Sequence, residues 1–239
     1  MKVMKNEDIF MRYSRQIFID EIGLEGQRKI MNAKVLVIGA GGLGSPIIQY
    51  LAAAGVGTLG VADFDEVELH NLNRQIIHNE NSVGNSKVKS AEEFVNNLNH
   101  LVQFMSIDQK IDESNAKEVI SQFDIIVDGS DNFKTRYLVN DVCVKLNKPL
   151  VYGSILGFSG QVAIFNYNKS RNLRDIFAEP PFDENIPDCD SLGVLGVLPG
   201  IVGSMMANLV LKIITDLPMQ LNQLTLIDTW NWKFQTIDF

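Results

Sequence analysis

The chain has 239 residues, of which 46% are hydrophobic and 21% are charged, a balance typical of a globular protein with a full apolar core. Its formal net charge of −8 disfavours nonspecific binding to nucleic acid or to an anionic membrane and favours a protein or small-molecule partner. Cys143 and Cys189 form neither a CxxC pair nor a disulfide framework, and the first residues contain no apolar segment of signal-peptide length. We therefore expect a cytoplasmic protein in a reducing compartment.

Apolar segments alternate with helical patterns over the first 154 residues. In chain order, the pattern predicts a strand at 34–39, a helix near 43–54, a strand at 58–65, a helix at 86–99, a strand at 102–107, a helix at 112–123, a strand at 124–130, a helix at 132–147 and a strand at 149–154. Short, nearly all-apolar strands separated by helices indicate a parallel sheet covered on both faces. The sequence therefore predicts an α/β fold with a Rossmann-like, doubly wound sheet that binds ligands at the carboxyl ends of its strands.

The pattern changes after residue 154. Segments 160–167 and 224–237 alternate between polar and apolar residues, which predicts antiparallel strands added to the sheet. The polar, acidic and proline-bearing segment 168–191 lies between them, and we expect it to be a long mobile loop. The uncharged segment 192–211 has the length of a membrane span, but Pro199 and several glycines interrupt it. We expect a buried core or interface helix there.

The segment "GAGGLG" at 39–44 follows the first predicted strand. Gly39 allows a tight turn, Gly41 lets the backbone approach a phosphate, and Gly44 lets the following helix pack closely on the strand. The N-terminus of that helix offers N–H groups and a positive dipole end to an anion. Asp63 ends the second strand, where a carboxylate accepts hydrogen bonds from ribose hydroxyls. An NAD-dependent dehydrogenase and an ATP-using enzyme would both contain these residues, so the motif does not distinguish between the two classes.

Charged residues farther along the same edge favour a triphosphate. Arg74 can bind phosphate oxygens as a fork, Lys87 supplies a compact positive charge, and Asp131 can hold Mg²⁺. A dinucleotide carries only a diphosphate and requires no metal. The polar residues that we assign to this edge are Asn71, Asn73, Arg74, Lys87, Asp131 and Asn132.

Six motifs in order give the chain a resemblance to the ThiF/MoeB/HesA family, bacterial relatives of ubiquitin-activating enzymes. The motifs are "RYSRQI" at 12–17, "GAGGLG" at 39–44, "DFDEVELHNLNRQ" at 63–75, "VGNSKV" at 83–88, "SDN" at 130–132 and "GFSGQ" at 157–161. The resemblance implies ATP-dependent adenylation of the C-terminal glycine carboxylate of a ubiquitin-like sulfur carrier, with release of pyrophosphate. The first and last motifs are more similar to ThiF, whose carrier is ThiS of thiamine thiazole synthesis. The alternative is a MoeB-like enzyme that acts on MoaD in molybdopterin synthesis.

The resemblance also implies roles for individual residues. Asp131 would bind Mg²⁺, and Arg15 would enter the active site from the other subunit of a homodimer. The implied catalytic residues are Arg15, Arg74, Lys87, Asp131 and Cys189. The implied nucleotide-binding residues are Gly39, Gly41, Gly42, Gly44, Asp63, Asp65, Asn71, Asn73, Arg74, Gln75, Lys87, Asp131 and Asn132.

The two cysteines have different expected roles. Cys189 lies in the acidic loop at a position similar to the ThiF cysteine that links to the activated carrier. Its neighbours Asp188 and Asp190 reduce its thiolate fraction through like-charge repulsion. Cys143 falls within a predicted helix and is expected in the core.

The sequence departs from the family pattern at the zinc site. Many members bind structural zinc through two CxxC pairs, and this chain has neither pair, so we expect no zinc. His70, His78 and His100 are scattered along the sequence, and we expect them on the surface or behind the site.

We expect one domain over residues 1–239. It would comprise an N-terminal helical arm (1–32), a nucleotide-binding half (33–154) and a carrier-binding half (155–239). Two other functions are weighed against carrier adenylation. An NAD-dependent oxidoreductase would explain the glycines and Asp63 but not Arg15, Arg74, Lys87 and Asp131. A noncatalytic carrier-binding protein would not require these charged residues.

Overall fold

A computed structural model describes residues 6–181 and 193–239. Two helices, α1 (Asn6–Ile17) and α2 (Gly23–Asn32), precede the sheet. The elements that follow are β1 (Lys34–Ile38), α3 (Gly44–Ala54), β2 (Thr58–Ala62), α4 (Lys87–Leu98), β3 (Gln103–Ile107), α5 (Ala116–Ser121), β4 (Ile125–Asp128), α6 (Phe133–Leu146), β5 (Leu150–Leu156), β6 (Ser159–Phe165), α7 (Val197–Ile214), β7 (Gln223–Asp228) and β8 (Lys233–Asp238).

Within those residues the strands form one eight-stranded sheet in the order β3-β2-β1-β4-β5-β6-β7-β8. The first five strands of that order pair in parallel, and β5 to β8 pair antiparallel. This confirms the predicted Rossmann-like fold with antiparallel strands in the C-terminal half. The chain reverses its direction of winding between β1 and β4, which places a crevice at their carboxyl ends.

Two hydrophobic layers cover the sheet because alternate residues of each buried strand point to opposite faces. Val35 and Val37 of β1 pack with α3, α4 and α7, whereas Leu36 and Ile38 pack with α5 and α6. Cys143 is fully buried in the second layer, which confirms the expectation that it lies in the core. Burial raises the pKa of its thiol far above the ordinary value.

Among the described residues, one helix has the length and hydropathy of a membrane span. This helix, α7, has 18 residues and a mean hydropathy of 1.8, and half of it is buried inside the protein. Its buried side includes Val202, Met206 and Val210, and it contacts α3, β5 and β6. Tertiary packing therefore accounts for the apolar composition of the buried side of this helix, in agreement with the expected core or interface helix.

Several predicted element boundaries were wrong because a side chain near the boundary hydrogen-bonds the backbone of its own segment and shortens the strand or helix. Strand β2 stops at Ala62, since the carboxylate of Asp63 folds back to accept the Asp65 N–H. Helix α5 begins only at Ala116, since Asp112 holds the preceding turn by accepting from the N–H and hydroxyl of Ser114.

The predicted strand at 224–237 is a hairpin of β7 and β8. Asp228 closes the turn between them by accepting from the N–H groups of Trp230 and Asn231. The alternation of polar and apolar residues continues through the turn, so no change of period marks the division between the two strands.

The segment that we expected to be a long mobile loop is partly tied down. Arg174 makes two hydrogen bonds to the carboxylate of Asp141 on α6, at 2.8 and 2.9 Å. The Tyr137 hydroxyl, also on α6, lies 2.9 Å from the carbonyl oxygen of Phe177 and 2.8 Å from that of Glu179. Residues 168–181 are therefore anchored, and 182–191 lie outside the described residues.

Gly60 in the middle of β2 supports a test of core packing. A Cβ at this position would collide with the ring of Phe123, which is buried and has no room to move. Gly60→Ala should lower the free energy of unfolding by about 1–3 kcal/mol, measured by urea denaturation. Gly200→Ala in α7 is the control, since its Cβ would meet nothing within 4 Å and alanine favours the helix by up to about 1 kcal/mol. Equal effects of the two changes would contradict the described packing.

Candidate active site

A cleft of about 340 Å³ lies at the carboxyl ends of β1, β2 and β4. The glycine turn, the end of β2, the N-terminus of α4 and the loop after β4 form its walls. The predicted residues that line it are Gly39, Gly41, Gly42, Asp63, Asp65, Arg74, Gln75, Lys87, Asp131 and Asn132. The topology thus brings together residues that are up to 93 positions apart in sequence, from Gly39 to Asn132.

The glycine turn between β1 and α3 is built around two close backbone approaches. Gly39 adopts φ +94°, which favours glycine, and a Cβ on Gly44 would collide with the Gly39 carbonyl oxygen. Gly44 therefore packs the helix against the turn and does not line the cleft. A Cβ on Gly41 would meet only the Gln75 amide, at 3.6 Å, so the cleft side of the turn has room for a ligand.

Asp63 braces the glycine turn from the end of β2. Its two carboxylate oxygens accept the N–H groups of Ala40 at 2.7 Å and of Asp65 at 2.9 Å. Burial raises the pKa of Asp63, and the nearby charge of Lys87 together with these two hydrogen bonds opposes that shift. Asp63 thus has a structural role beside the ribose contact that the resemblance implies.

Lys87 is a buried cation at the N-terminus of α4. Its Nζ lies 2.8 Å from Asp65 Oδ2, and the lysine side chain is 9% exposed whereas the aspartate side chain is 48% exposed. The buried charge is therefore compensated by a carboxylate that water reaches. A phosphate entering the cleft would compete with Asp65 for Lys87.

Asn71 and Asn73 shape the segment that carries Arg74 and do not line the cleft. Asn71 is buried, and its side-chain oxygen accepts the Glu68 N–H. The guanidinium of Arg74 donates to the carbonyl of His70 and to the side-chain oxygen of Asn73. Phosphate contacts by the two asparagines stay a prediction.

The loop after β4 presents Asp131 at an exposed position on the rim of the cleft. Asn132 uses its side-chain oxygen to cap α6, accepting the Thr135 N–H at 2.9 Å. Within residues 6–181 and 193–239, no group of three or more His, Cys, Asp or Glu side chains is placed to hold a metal ion. A magnesium ion at Asp131 would need oxygen ligands from a nucleotide and from water.

Two implied catalytic residues lie elsewhere. Arg15 is exposed on α1 and does not line the cleft of its own chain. Cys189 falls outside the described residues. Their implied roles stay predictions.

The sequence interpretation missed several residues of the cleft. Phe64 and Lys110 follow β2 and β3, and the Lys110 ammonium lies 5.4 Å from the centre of the Phe64 ring. Both positions could have been found by applying the carboxyl-edge rule to every strand, including β3. Ile111, Ser130 and Arg136 also line the cleft.

Arg136 had no sequence signal because a helical arginine is usually a solvated surface residue. Here it is 5% exposed, stacks at 5.1 Å over the Tyr152 ring, and donates to the carbonyls of Gly153 and Ser130. Asp128 beside it is buried and accepts from both the N–H and the hydroxyl of Ser130. Burial raises the pKa of Asp128 and the charge of Arg136 opposes this shift. Together they fix the loop that carries Asp131.

The fold and the cleft define an α/β protein with a glycine turn and two cations around a cleft at the carboxyl ends of its strands. The ThiF family matches residues 13–239, and the chain belongs to this family. It is 45% identical over 235 residues to adenylyltransferase and sulfurtransferase MOCS3 of Xenopus laevis, covering 98% of this chain and 52% of that protein. It is 47% identical over 208 residues to adenylyltransferase and sulfurtransferase MOCS3-1 of Zea mays, covering 87% of this chain and 44% of that protein. The chain therefore spans about half the length of these relatives.

Solved structures share the fold at low sequence identity. A crystal structure of E. coli MccB with ATP superposes with a TM-score of 0.83 at 24% identity and covers 95% of this chain and 71% of that chain. A crystal structure of PaaA gives a TM-score of 0.81 at 22% identity, covering 100% and 75% of the two chains. These likenesses confirm the fold class.

Removing Arg136 tests how the Asp131 loop is held. Arg136→Met removes the charge that opposes the raised pKa of Asp128 and leaves the carbonyls of Gly153 and Ser130 without this donor, so it should lower the free energy of unfolding by about 1–3 kcal/mol for each lost hydrogen bond. Because the folded-state pKa of Asp128 is raised, the native protein binds its proton more readily than the unfolded chain does. The deficit should therefore be smallest in acid, where both native proteins hold this proton, and should grow as the pH rises through the raised folded-state pKa of Asp128 in the wild type.

The double variant Asp128→Asn, Arg136→Met is the matched control, since it removes both charges and keeps an oxygen for Ser130. It should lose less free energy of unfolding than Arg136→Met alone. A double variant that loses the sum of the two single losses would show that Asp128 and Arg136 do not interact.

Proposed function

We propose that this chain is an ATP-dependent adenylyltransferase that activates the C-terminal carboxylate of a ubiquitin-like sulfur carrier. The observation that carries the proposal is a cleft in which a glycine turn, a buried lysine and an exposed aspartate face one another. The similarity to relatives named adenylyltransferase and sulfurtransferase supports it.

The charges in the cleft favour a triphosphate over a dinucleotide. Arg74 and Lys87 line the same cavity as the glycine turn, so two cations face the phosphate-binding backbone. A dinucleotide would bring a diphosphate and leave Asp131 without a partner cation. Magnesium, when bound by Asp131 and the phosphates, would neutralise charge on the pyrophosphate leaving group.

The residues on this chain would act mainly by positioning. The carrier carboxylate attacks the α-phosphorus of ATP, an acyl-adenylate forms, and pyrophosphate leaves, so no protein nucleophile is required. Backbone N–H groups of the turn would hold the phosphates, and Lys87 would stabilise the charge that develops on the pyrophosphate. We expect the ion pair between Lys87 and Asp65 to open as Lys87 turns toward the phosphates, which would couple nucleotide binding to a local rearrangement.

The similarity to the MOCS3 relatives favours a MoaD-type carrier over the ThiS-type carrier that the motifs suggested. We therefore propose the MoeB-like reading as the main one and keep thiamine thiazole synthesis as the alternative. Because the chain spans about half the length of those relatives, we do not propose their sulfurtransferase activity for this chain. A covalent link between Cys189 and the carrier stays part of the ThiS-type alternative.

We also propose that the active site is completed by a second copy of the chain. Arg15 is exposed on α1, outside the cleft of its own chain, and Tyr13 beside it is buried and anchors α1 through the amide of Asn99. Helix α1 is thus firmly attached while Arg15 projects from it. A trans-acting arginine accelerates related phosphoryl-transfer reactions by about 10³–10⁵-fold.

Carrier adenylation is tested by mixing the protein with ATP, Mg²⁺ and either a MoaD-type or a ThiS-type carrier. The expected product is the MoaD-type carrier increased by the mass of one AMP, detected by mass spectrometry, with pyrophosphate released in parallel. Asp131→Asn should abolish both signals. The thermal unfolding temperature should stay unchanged, because the Asp131 side chain is exposed. Full activity of Asp131→Asn would remove the proposed metal role.

Two further results would redirect the proposal. Adenylation of the ThiS-type carrier alone would restore the thiamine alternative. Thermal stabilisation by NAD and not by ATP would instead identify an oxidoreductase.

Subunit mixing tests the proposed role of Arg15. Arg15→Ala and Asp131→Ala should each be inactive alone, because each chain lacks one part of a composite site. Random exchange of subunits gives about half heterodimers with one intact site each, so the mixture should recover about a quarter of wild-type activity. A mixture that stays inactive would place Arg15 and Asp131 in the same site of one chain or exclude a role for Arg15.

A further inference from the structure

His78 is a buried histidine that none of the roles above explains. It is 7% exposed and lies beneath the glycine turn. Its Nε2 is 2.9 Å from the carbonyl oxygen of Ala40, and its Nδ1 is 2.8 Å from the Ser90 hydroxyl on α4. We expected a histidine on the surface or behind the site, and the structure places it directly against the phosphate-binding turn.

The chemistry of the two partners assigns the proton on the imidazole. A carbonyl oxygen only accepts hydrogen bonds, so Nε2 carries the proton and donates to Ala40. Nδ1 is then free to accept from the Ser90 hydroxyl. Burial lowers the pKa of His78, with a further contribution from the charge of Lys87 and an opposing one from the Ala40 hydrogen bond. The neutral imidazole therefore fits the site.

The two hydrogen bonds to Ala40 fix the orientation of two consecutive peptide groups. Asp63 accepts the Ala40 N–H and so sets the peptide between Gly39 and Ala40. His78 binds the Ala40 carbonyl and so sets the peptide between Ala40 and Gly41. In a planar trans peptide the carbonyl and the N–H point in opposite directions. With its carbonyl held inward by His78, this peptide directs the Gly41 N–H away from the core.

Gly41 lines the nucleotide cleft, and among the described residues its N–H has no hydrogen-bond partner. A backbone donor without a partner at the start of a helix is well suited to an anion. We infer that His78 is a positioning residue that holds the Ala40–Gly41 peptide so that the Gly41 N–H serves as a phosphate donor. This inference rests on the proposed function, since it assumes that a nucleotide phosphate occupies the cleft.

Two variants of His78 separate the hydrogen bond from the bulk of the side chain. His78→Phe keeps a ring and removes the donor to Ala40, whereas His78→Gln can place an amide N–H near the position of Nε2. Dissociation constants for ATP and for adenosine are measured by isothermal titration calorimetry. His78→Phe should bind ATP about tenfold more weakly and adenosine with unchanged affinity, because adenosine has no phosphate. His78→Gln should recover most of the ATP affinity.

Gln27→Met is the matched control. Gln27 is 2% exposed, and its amide donates to the carbonyl of Ala54 at 3.0 Å, at the opposite end of α3 from the glycine turn. The control also removes a buried side-chain donor from a backbone carbonyl. It should lower the thermal unfolding temperature, as His78→Phe does, and leave the affinity for ATP unchanged.

A measurement on the wild type does not depend on how the variants fold. The Gly41 amide proton, observed by NMR, should shift downfield as ATP is added and much less as adenosine is added. An unshifted Gly41 amide would overturn the inference, and so would a His78→Phe variant that loses affinity for ATP and adenosine equally or for neither. Failure of the wild type to bind ATP at all would overturn the proposed function together with this inference.

Discussion

The structure depends on one constraint: the peptide groups on either side of Ala40 must be held from the protein interior so that the Gly41 N–H faces the cleft. Gly39 and Gly44 allow the turn to close, since a Cβ on Gly44 would occupy the position of the Gly39 carbonyl oxygen. Asp63 and His78 then hold the peptide groups on either side of Ala40. Among the described residues the Gly41 N–H has no hydrogen-bond partner and lines the cleft, so this donor is available to a ligand.

The two buried cations near the glycine turn, Lys87 and Arg136, lie near carboxylates that differ in their solvent exposure. Lys87 is buried and pairs with the half-exposed Asp65, and Arg136 is buried beside Asp128. The first pair can open toward a phosphate because water can solvate the released carboxylate. Asp128 and Arg136 are both surrounded by protein, and their hydrogen bonds to Ser130 are suited to hold the loop in place. The cleft thus contains Lys87, whose carboxylate partner a phosphate could replace, and Arg136, which holds the structure of a loop. The sequence alone does not distinguish these two roles.

The sequence predicted the fold class, the order of the elements and ten residues that line the cleft. These predictions succeeded because strand periodicity and the carboxyl-edge rule depend on local patterns. Arg136 was missed because its role arises from tertiary contacts, whereas Phe64 and Lys110 were missed because the carboxyl-edge rule was not applied to every strand. The sequence left open whether His78 lies on the surface or behind the site, and its contact with Ala40 joins elements distant in sequence. The boundaries at Asp63, Asp112 and Asp228 were wrong for a related reason, since each is set by a side chain that folds back onto its own backbone. The preference for a ThiS-type carrier rested on two short motifs, and the similarity of nearly the whole chain to the MOCS3 relatives outweighs them.

We propose that the phosphates of ATP bind at the turn after β1 and draw Lys87 away from Asp65. The most direct test is a crystal structure of the protein with Mg²⁺ and a nonhydrolysable ATP analogue. We expect phosphate oxygens within hydrogen-bond distance of the Gly41 N–H and of Lys87 Nζ, with Asp131 facing the metal ion. A nucleotide bound outside the cleft, or one bound inside it with the Lys87–Asp65 pair intact, would contradict the account.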